Sequence, residues 1–343
     1  RLARTIFVGD MNDSTQAASA SMELSASTDP LARASQLTWV AVAIAVAGLA
    51  VVTSALANHW GGVSHGHPAY AVLLVITVVG CVLAIVLAFR GRRRDSGRWR
   101  RVGRVLLLVL GAGWIALIAW LQPYSAVEPA LAAMESDAVV SVTETPTEIA
   151  LVPTGGASET GVFFQPGALV DARAYVAVLR PLAEAGFTVV IPKQPLSIAF
   201  LALGAFDGAS AAHPEISEWV LGGHSLGGTV AAIEANTAAA PDPASVAGLL
   251  FFASYPADDM SDADFSVLSI SGTEDALATP EKIEASRSTV PATAEFVVID
   301  GASHAQFGSY GLQPGDGTAT ITNDDAREQI SGIALEFVES LTR

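Results

Sequence analysis

The sequence predicts an α/β fold, a mostly parallel sheet with helices on both faces, preceded by three transmembrane helices. Three observations predict it. Short, fully apolar runs alternate with helical stretches through the last two thirds of the chain. Long uncharged apolar runs occupy the first third. The charge also changes sign between the two parts: residues 1–121 hold eleven Arg, no Lys and five acidic residues, whereas residues 122–343 carry a net charge of −22. A break that sharp marks two modules in different surroundings.

Residues 1–36, rich in Ala, Ser and Thr, read as a disordered cytoplasmic tail. The chain opens on Arg1, and Met11 and Met22 are candidate starts. Within the transmembrane region, 37–121, the apolar runs cover residues 37–57, 70–89 and 105–121. At about 1.5 Å per residue they span roughly 26–32 Å, the thickness of a hydrocarbon core. A signal peptide is the rival reading of the first run, but its apolar stretch is too long and two further runs follow. Trp39, Trp120 and Tyr124 sit near run ends, where amphipathic rings favour the headgroup layer. Residues 90–104 contain eight Arg and one Asp, which keeps this short loop in the cytoplasm. The loop 58–69 has no Lys or Arg and should face outside, so the N-terminus is cytoplasmic and everything after Leu121 is extracytoplasmic. His59, His65 and His67 in that outer loop lack carboxylate or Cys support and read as solvated rather than metal-bound.

Composition excludes several classes. With 18 Lys plus Arg against 34 Asp plus Glu, clustered cations for phosphate neutralisation are missing and nucleic acid is not an expected partner. One cysteine, Cys81, rules out an internal disulfide and a thiolate zinc site. No apolar run carries a charged residue for a relay, which disfavours a transporter.

A Pro-containing linker, 122–137, leads into the outer domain, 138–343. Residues 138–143 and 148–153 are strand-like and joined through Pro146 as a hairpin. Residues 162–165 form the next strand; residues 173–185 carry apolar groups at helical spacing, and Gly186 suits the helix stop. Further strands are expected at 187–191, 219–222, 248–253, 266–271 and 295–299. Helices are expected at 229–239, 280–288 and 326–341.

Chemistry concentrates at WVLGGHSLGG, residues 219–228: a strand, then Gly223-His224-Ser225-Leu226-Gly227, then a helical run. A serine on a sharp strand-to-helix turn needs neighbours without Cβ, and its Oγ then projects at a helix N-terminus, where developing negative charge is favoured. An acid and a histidine should follow in that order, each after a later strand. Asp275 follows the strand 266–271, and His304 follows 295–299. Glu274 and Asp258 compete for the acid, and His213 and His224 for the base. An oxyanion hole needs two N–H donors. Leu226 supplies one. The other is expected at Ala168 in the loop Pro166-Gly167-Ala168, with Gly167 or Leu169 as neighbours and Asp171, Arg173 and Tyr175 as possible buttresses.

From about residue 148 onward the chain resembles an α/β-hydrolase, near the dienelactone-hydrolase-like group. GGHSLGG, QPGALVDARAY, VVIPKQPL, SGTEDALATP and GASHAQFGSYG carry the resemblance. It implies the α/β-hydrolase fold, a serine hydrolase needing no cofactor or metal, and a triad of Ser225, Asp275 and His304. The oxyanion loop departs from the frequent His-Gly pattern by reading Gln-Pro-Gly. Only residues 255–265 separate the sixth and seventh strands, so no separate cap domain is expected, and residues 305–323 are the candidate rim. The expected activity is cleavage of carboxylic ester, thioester or lactone bonds in small-molecule or lipid substrates. Acyl transfer through the same serine and a non-catalytic binding module are the alternatives.

Overall fold

The computed structural model describes residues 36–90, 97–238 and 245–342; the expected tail at 1–36 lies outside these apart from Gln36. The first part is a bundle of α1 (Gln36–Asn58), the short α2 (Trp60–His65), α3 (Pro68–Arg90) and α4 (Arg98–Trp120). Three of these helices are long and apolar enough to cross a membrane. Val75, Ile76, Val79 and Leu83 on α3, and Leu106, Leu107 and Leu110 on α4, point outward as an exposed apolar surface. Polar groups inside the bundle are paired across helices: Trp114 Nε1 donates to Thr77 Oγ1 at 2.9 Å and Tyr70 Oη to the Ile118 carbonyl at 3.1 Å. Such pairing removes the cost of an unsatisfied polar group in hydrocarbon. Helix α4 starts at Arg98, before the apolar run that was expected to define it. Arginine is a good helix former and its long stem reaches back to water, so the helix extends beyond its apolar part.

The second part is an eight-stranded sheet in the order β1-β2-β4-β3-β5-β6-β7-β8. The strands are β1 (Val140–Glu144), β2 (Glu148–Pro153), β3 (Thr160–Gln165), β4 (Thr188–Pro192), β5 (Glu218–His224), β6 (Ser245–Phe252), β7 (Ser266–Gly272) and β8 (Glu295–Ile299). β1 and β2 form the expected antiparallel hairpin, β2 pairs antiparallel with β4, and every later pairing is parallel. The helices between strands are α5 (Val176–Glu184), α6 (Ala205–Ala212), α7 (Leu226–Ala238) and α8 (Pro280–Ser286), with α9 (Asn323–Leu341) closing the domain.

Side chains alternate between the two faces of the sheet, as the strand period of two requires. Val162, Phe164, Leu250 and Phe252 join Leu179 and Leu182 of α5 and Ile330 and Phe337 of α9 on one face. Phe163, Leu249 and Phe251 join Phe206 of α6 and Ala231 and Ala235 of α7 on the other. Full burial of each large side chain stabilises the fold by about 1.5–3 kcal/mol. Both faces are covered, which explains why the central strands read as continuous apolar runs. Helix α6 was not anticipated: Ala-Phe-Asp-Gly-Ala-Ser-Ala-Ala offers no clear apolar period, and burial of Phe206 and Ala209 fixes it instead.

Candidate active site

The carboxyl ends of β3, β5, β7 and β8 lie along one edge of the sheet, where ligands bind in open α/β folds. Ser225 sits between β5 and α7 with φ 52°, a left-handed conformation that a side chain adopts only under constraint. Its N–H donates to the Phe252 carbonyl at 3.0 Å, and its carbonyl accepts from Ser254 Oγ at 2.6 Å. The flanking glycines are steric necessities. A Cβ on Gly223 would collide with the Gly227 backbone, and one on Gly227 with the carbonyls of Gln165 and Pro166. The first turn of α7 therefore lies directly against the end of β3.

Asp275 and His304 are brought together. Asp275 is buried after β7; its Oδ1 accepts from the N–H groups of Leu277 (2.8 Å) and Ala278 (2.7 Å). Its Oδ2 accepts from His304 Nδ1 at 2.8 Å. His304 opens a short 3-10 helix, His304–Phe307, just beyond β8. Its Nε2 is buried and makes no hydrogen bond, and none joins it to Ser225 Oγ. The ring lies 4.5 Å, centroid to centroid, from that of His224, the residue before Ser225. Of the competing residues, Glu274 and Asp258 are exposed, His213 pairs with Glu215 at 3.1 Å, and His224 alone is buried beside His304.

Asp316 is a residue that sequence reasoning missed. Its carboxylate accepts from the N–H groups of His304 (3.2 Å) and Ala305 (2.8 Å), so it fixes the backbone that carries the histidine. Nothing in its local sequence, Pro-Gly-Asp-Gly, distinguishes it from a turn residue.

His224 occupies the variable position of the turn yet is fully buried. Burial, and next the neighbouring His304, hold its pKa well below the ordinary histidine value. Burial likewise pushes the Tyr175 phenol up, so it stays protonated. Tyr175 Oη accepts from the Gly167 N–H at 2.9 Å and shares a hydrogen bond with His224 Nδ1 at 2.8 Å. Gly167 has no room for a side chain, since a Cβ would lie 2.6 Å from His224 Nδ1.

The loop after β3 uses its donors selectively. The Gly167 N–H goes to Tyr175, Leu169 donates to the Ser197 carbonyl at 2.7 Å, and Val170 donates to Gly167 at 3.1 Å. Among the described residues no acceptor meets the N–H of Ala168 or that of Leu226. Below the loop, Gln165 Nε2 donates to the buried Glu234 at 2.9 Å, and Gln194 Nε2 donates to Gln165 Oε1 (2.8 Å) and the Pro166 carbonyl (2.9 Å). Among the described residues no cluster of His, Cys, Asp and Glu is arranged to hold a metal ion.

A strained serine thus lies between a parallel strand and a helix, with an acid and a histidine after later strands of the same sheet. Residues 161–328 match the model of the alpha/beta hydrolase family. Solved structures similar to the hydrolase domain include a thermophilic esterase from Thermogutta terrifontis, at 16% identity and TM-score 0.42, covering 60% of this chain and 99% of that one. A hyperthermophilic esterase from Pyrobaculum calidifontis matches at 16% identity and TM-score 0.44, covering 62% and 89%. An alpha/beta hydrolase enzyme from a lagoon-sediment metagenome matches at 15% and 0.45, covering 59% and 100%. No curated protein matches the chain.

Proposed function

We propose that the chain is a membrane-anchored serine hydrolase that cleaves carboxylic ester bonds through an acyl-enzyme on Ser225. The observation that carries this reading is the buried Asp275–His304 hydrogen bond of 2.8 Å at the sheet edge where Ser225 is held with φ 52°.

Ser225 Oγ attacks the acyl carbonyl while His304 Nε2 takes its proton. Asp275 Oδ2 holds the imidazole by Nδ1 and stabilises the imidazolium. The unengaged N–H groups of Leu226 and Ala168 receive the negative charge on the former carbonyl oxygen, which strengthens their interaction in the transition state. The tetrahedral adduct collapses to the acyl-serine and expels the alcohol, which takes the proton from His304. Water then attacks the acyl-serine, giving its proton to His304. Collapse of the second adduct releases the acid and returns that proton to Ser225. The acidic hydrolase domain disfavours strongly anionic substrates through long-range repulsion, less so in salt.

The Arg-rich residues 90–104 support a cytoplasmic loop, hence an extracytoplasmic hydrolase domain. Protease added to intact cells should then remove this domain; its full protection would reverse the orientation.

The activity is tested with the full chain in nanodiscs against water-soluble esters of graded acyl length. Hydrolysis of at least one ester, reduced roughly 10⁴-fold or more in Ser225→Ala, is expected. A rate indifferent to that substitution, or no ester hydrolysed, would overturn the reading.

A further inference from the structure

Residues 194–206 contain no charged side chain, although the surrounding domain is strongly acidic. Within this stretch Phe200, Leu201 and Leu203 are 45%, 53% and 52% exposed. Soluble surfaces seldom display large apolar side chains so close together, and such patches mark interaction sites.

The neighbours of these residues identify the medium that covers them. Leu196 and Ile198 pack against a cluster formed by Val52 and Ala55 of α1, Tyr70 and Leu74 of α3, and Ile118 near the end of α4. All belong to the ends of the three long helices that adjoin the hydrolase domain. Tyr70 and Leu74 lie two and six residues into α3, so at about 1.5 Å per residue the contact reaches roughly 3–9 Å below the helix start. Trp60 and Trp120, 61% and 62% exposed, occupy the same helix ends, the level at which amphipathic rings meet headgroups. The exposed Phe200, Leu201 and Leu203 thus extend an apolar surface that begins inside the bundle.

The same segment is bonded to the candidate oxyanion loop. Leu169 donates to the Ser197 carbonyl at 2.7 Å, and Gln194 Nε2 donates to the Pro166 carbonyl at 2.9 Å. Leu169 itself, with φ 60°, packs on the helix-bundle cluster. This exposed apolar segment is therefore one connection away from Ala168.

We infer that residues 195–203 form a membrane-seated rim, with Phe200, Leu201 and Leu203 in the adjoining leaflet, and that the substrates are esters resident in that leaflet. The seating stands on geometry alone, whereas the substrate class rests on the serine-hydrolase reading. An ester whose acyl chains lie in the leaflet reaches Ser225 by moving along the rim, without first leaving the membrane for water.

The test uses the full chain in nanodiscs and has two arms. For position, Leu201→Cys in a Cys81→Ala background carries an environment-sensitive fluorophore, and Asp258→Cys provides a control on an exposed loop. Lipids with a nitroxide at a shallow acyl position should quench the label at 201 several-fold and leave that at 258 unchanged. Equal quenching at both positions, or a label at 201 that responds to a second copy of the chain and not to nitroxide lipid, would overturn the seating. For substrate, a fluorogenic diacylglycerol in the disc is compared with a water-soluble short-chain ester. In the triple variant Phe200→Ser, Leu201→Ser, Leu203→Ser, the ratio of lipid to soluble turnover should fall at least tenfold; an unchanged ratio would overturn the substrate class. Quenching at 201 with neither ester hydrolysed by the wild type would sink the hydrolase reading and leave the seating intact.

Discussion

Ser225, Asp275 and His304 follow β5, β7 and β8 and are tied to groups of their own domain, whereas the loop carrying Ala168 is tied in part to the linker and the helix bundle. On the first side the ties run from Ser225 to Phe252, from Asp275 to Leu277 and Ala278, and from His304 to Asp316. On the second, Leu169 donates to Ser197, accepts from the Tyr124 N–H at 2.7 Å, and sets its side chain on the helix bundle. Tyr124 comes from the linker that follows α4 and also bridges to Val170. The difference separates two tasks. The proposed nucleophile and base are held within the hydrolase domain, while the loop of the proposed second oxyanion donor is tied in part to the linker and the helix bundle.

Breaking the first side should cost most. Asp275→Asn leaves the fold but frees the wrong imidazole tautomer, so kcat should fall about 10⁴-fold with KM little changed; steady-state kinetics on a soluble ester check this, and a loss under tenfold would remove Asp275 from the triad. Gly227→Ala strikes where the two sides touch, since its Cβ meets the Gln165 and Pro166 carbonyls. A drop of roughly 10²-fold or more in kcat is expected from displacing the Leu226 donor, by analogy with loss of an oxyanion-hole group.

Leu169→Ala breaks the second side alone. It removes the contact with the helix cluster without touching Ser225 or His304, so kcat should fall about 10–100-fold while KM holds, and Leu169→Met should recover most of it. A change confined to KM would assign Leu169 to substrate binding instead.

The smallest effect concerns pH. The folded pKa of His224 is depressed, chiefly by burial, below the roughly 6.5 of an unfolded histidine. Between those values the unfolded chain binds the extra proton, so the contribution to stability is present above about pH 6.5 and is lost as pH falls below it. The slope approaches about 1.4 kcal/mol per pH unit for one group. Melting of the full chain in nanodiscs between pH 7 and 5 should show this loss, and His224→Phe, which keeps the ring against Phe307, should flatten it. An unaltered slope would place the acid sensitivity elsewhere.

Strands were readable because both faces of the sheet are covered, which makes the middle of β5 (Trp219–Leu221) and the end of β6 (Leu249–Phe252) continuous apolar runs. Ser225 was conspicuous because the turn demands glycine on both sides, and Asp275 and His304 because they come, acid before histidine, after the strands expected at 266–271 and 295–299. What could not be read was set by contacts distant in sequence. Tyr175 meets His224 across 49 positions, and Asp316 grips His304 through its backbone rather than through any recognisable pattern. In the sequence Leu169 is only a neighbouring candidate for the oxyanion donor; the packing of its side chain on the bundle reveals its connection to the anchor.

The convergence of Ser225 with the Asp275–His304 pair is tested most directly by treating the full chain in nanodiscs with a fluorophosphonate and mapping the adduct by peptide mass spectrometry. A single adduct on Ser225, abolished in Ser225→Ala and slowed at least a hundredfold in His304→Gln, is the expected result. Hydrolytic activity with Ser225 unmodified, or labelling that persists at wild-type rate without His304, would contradict it.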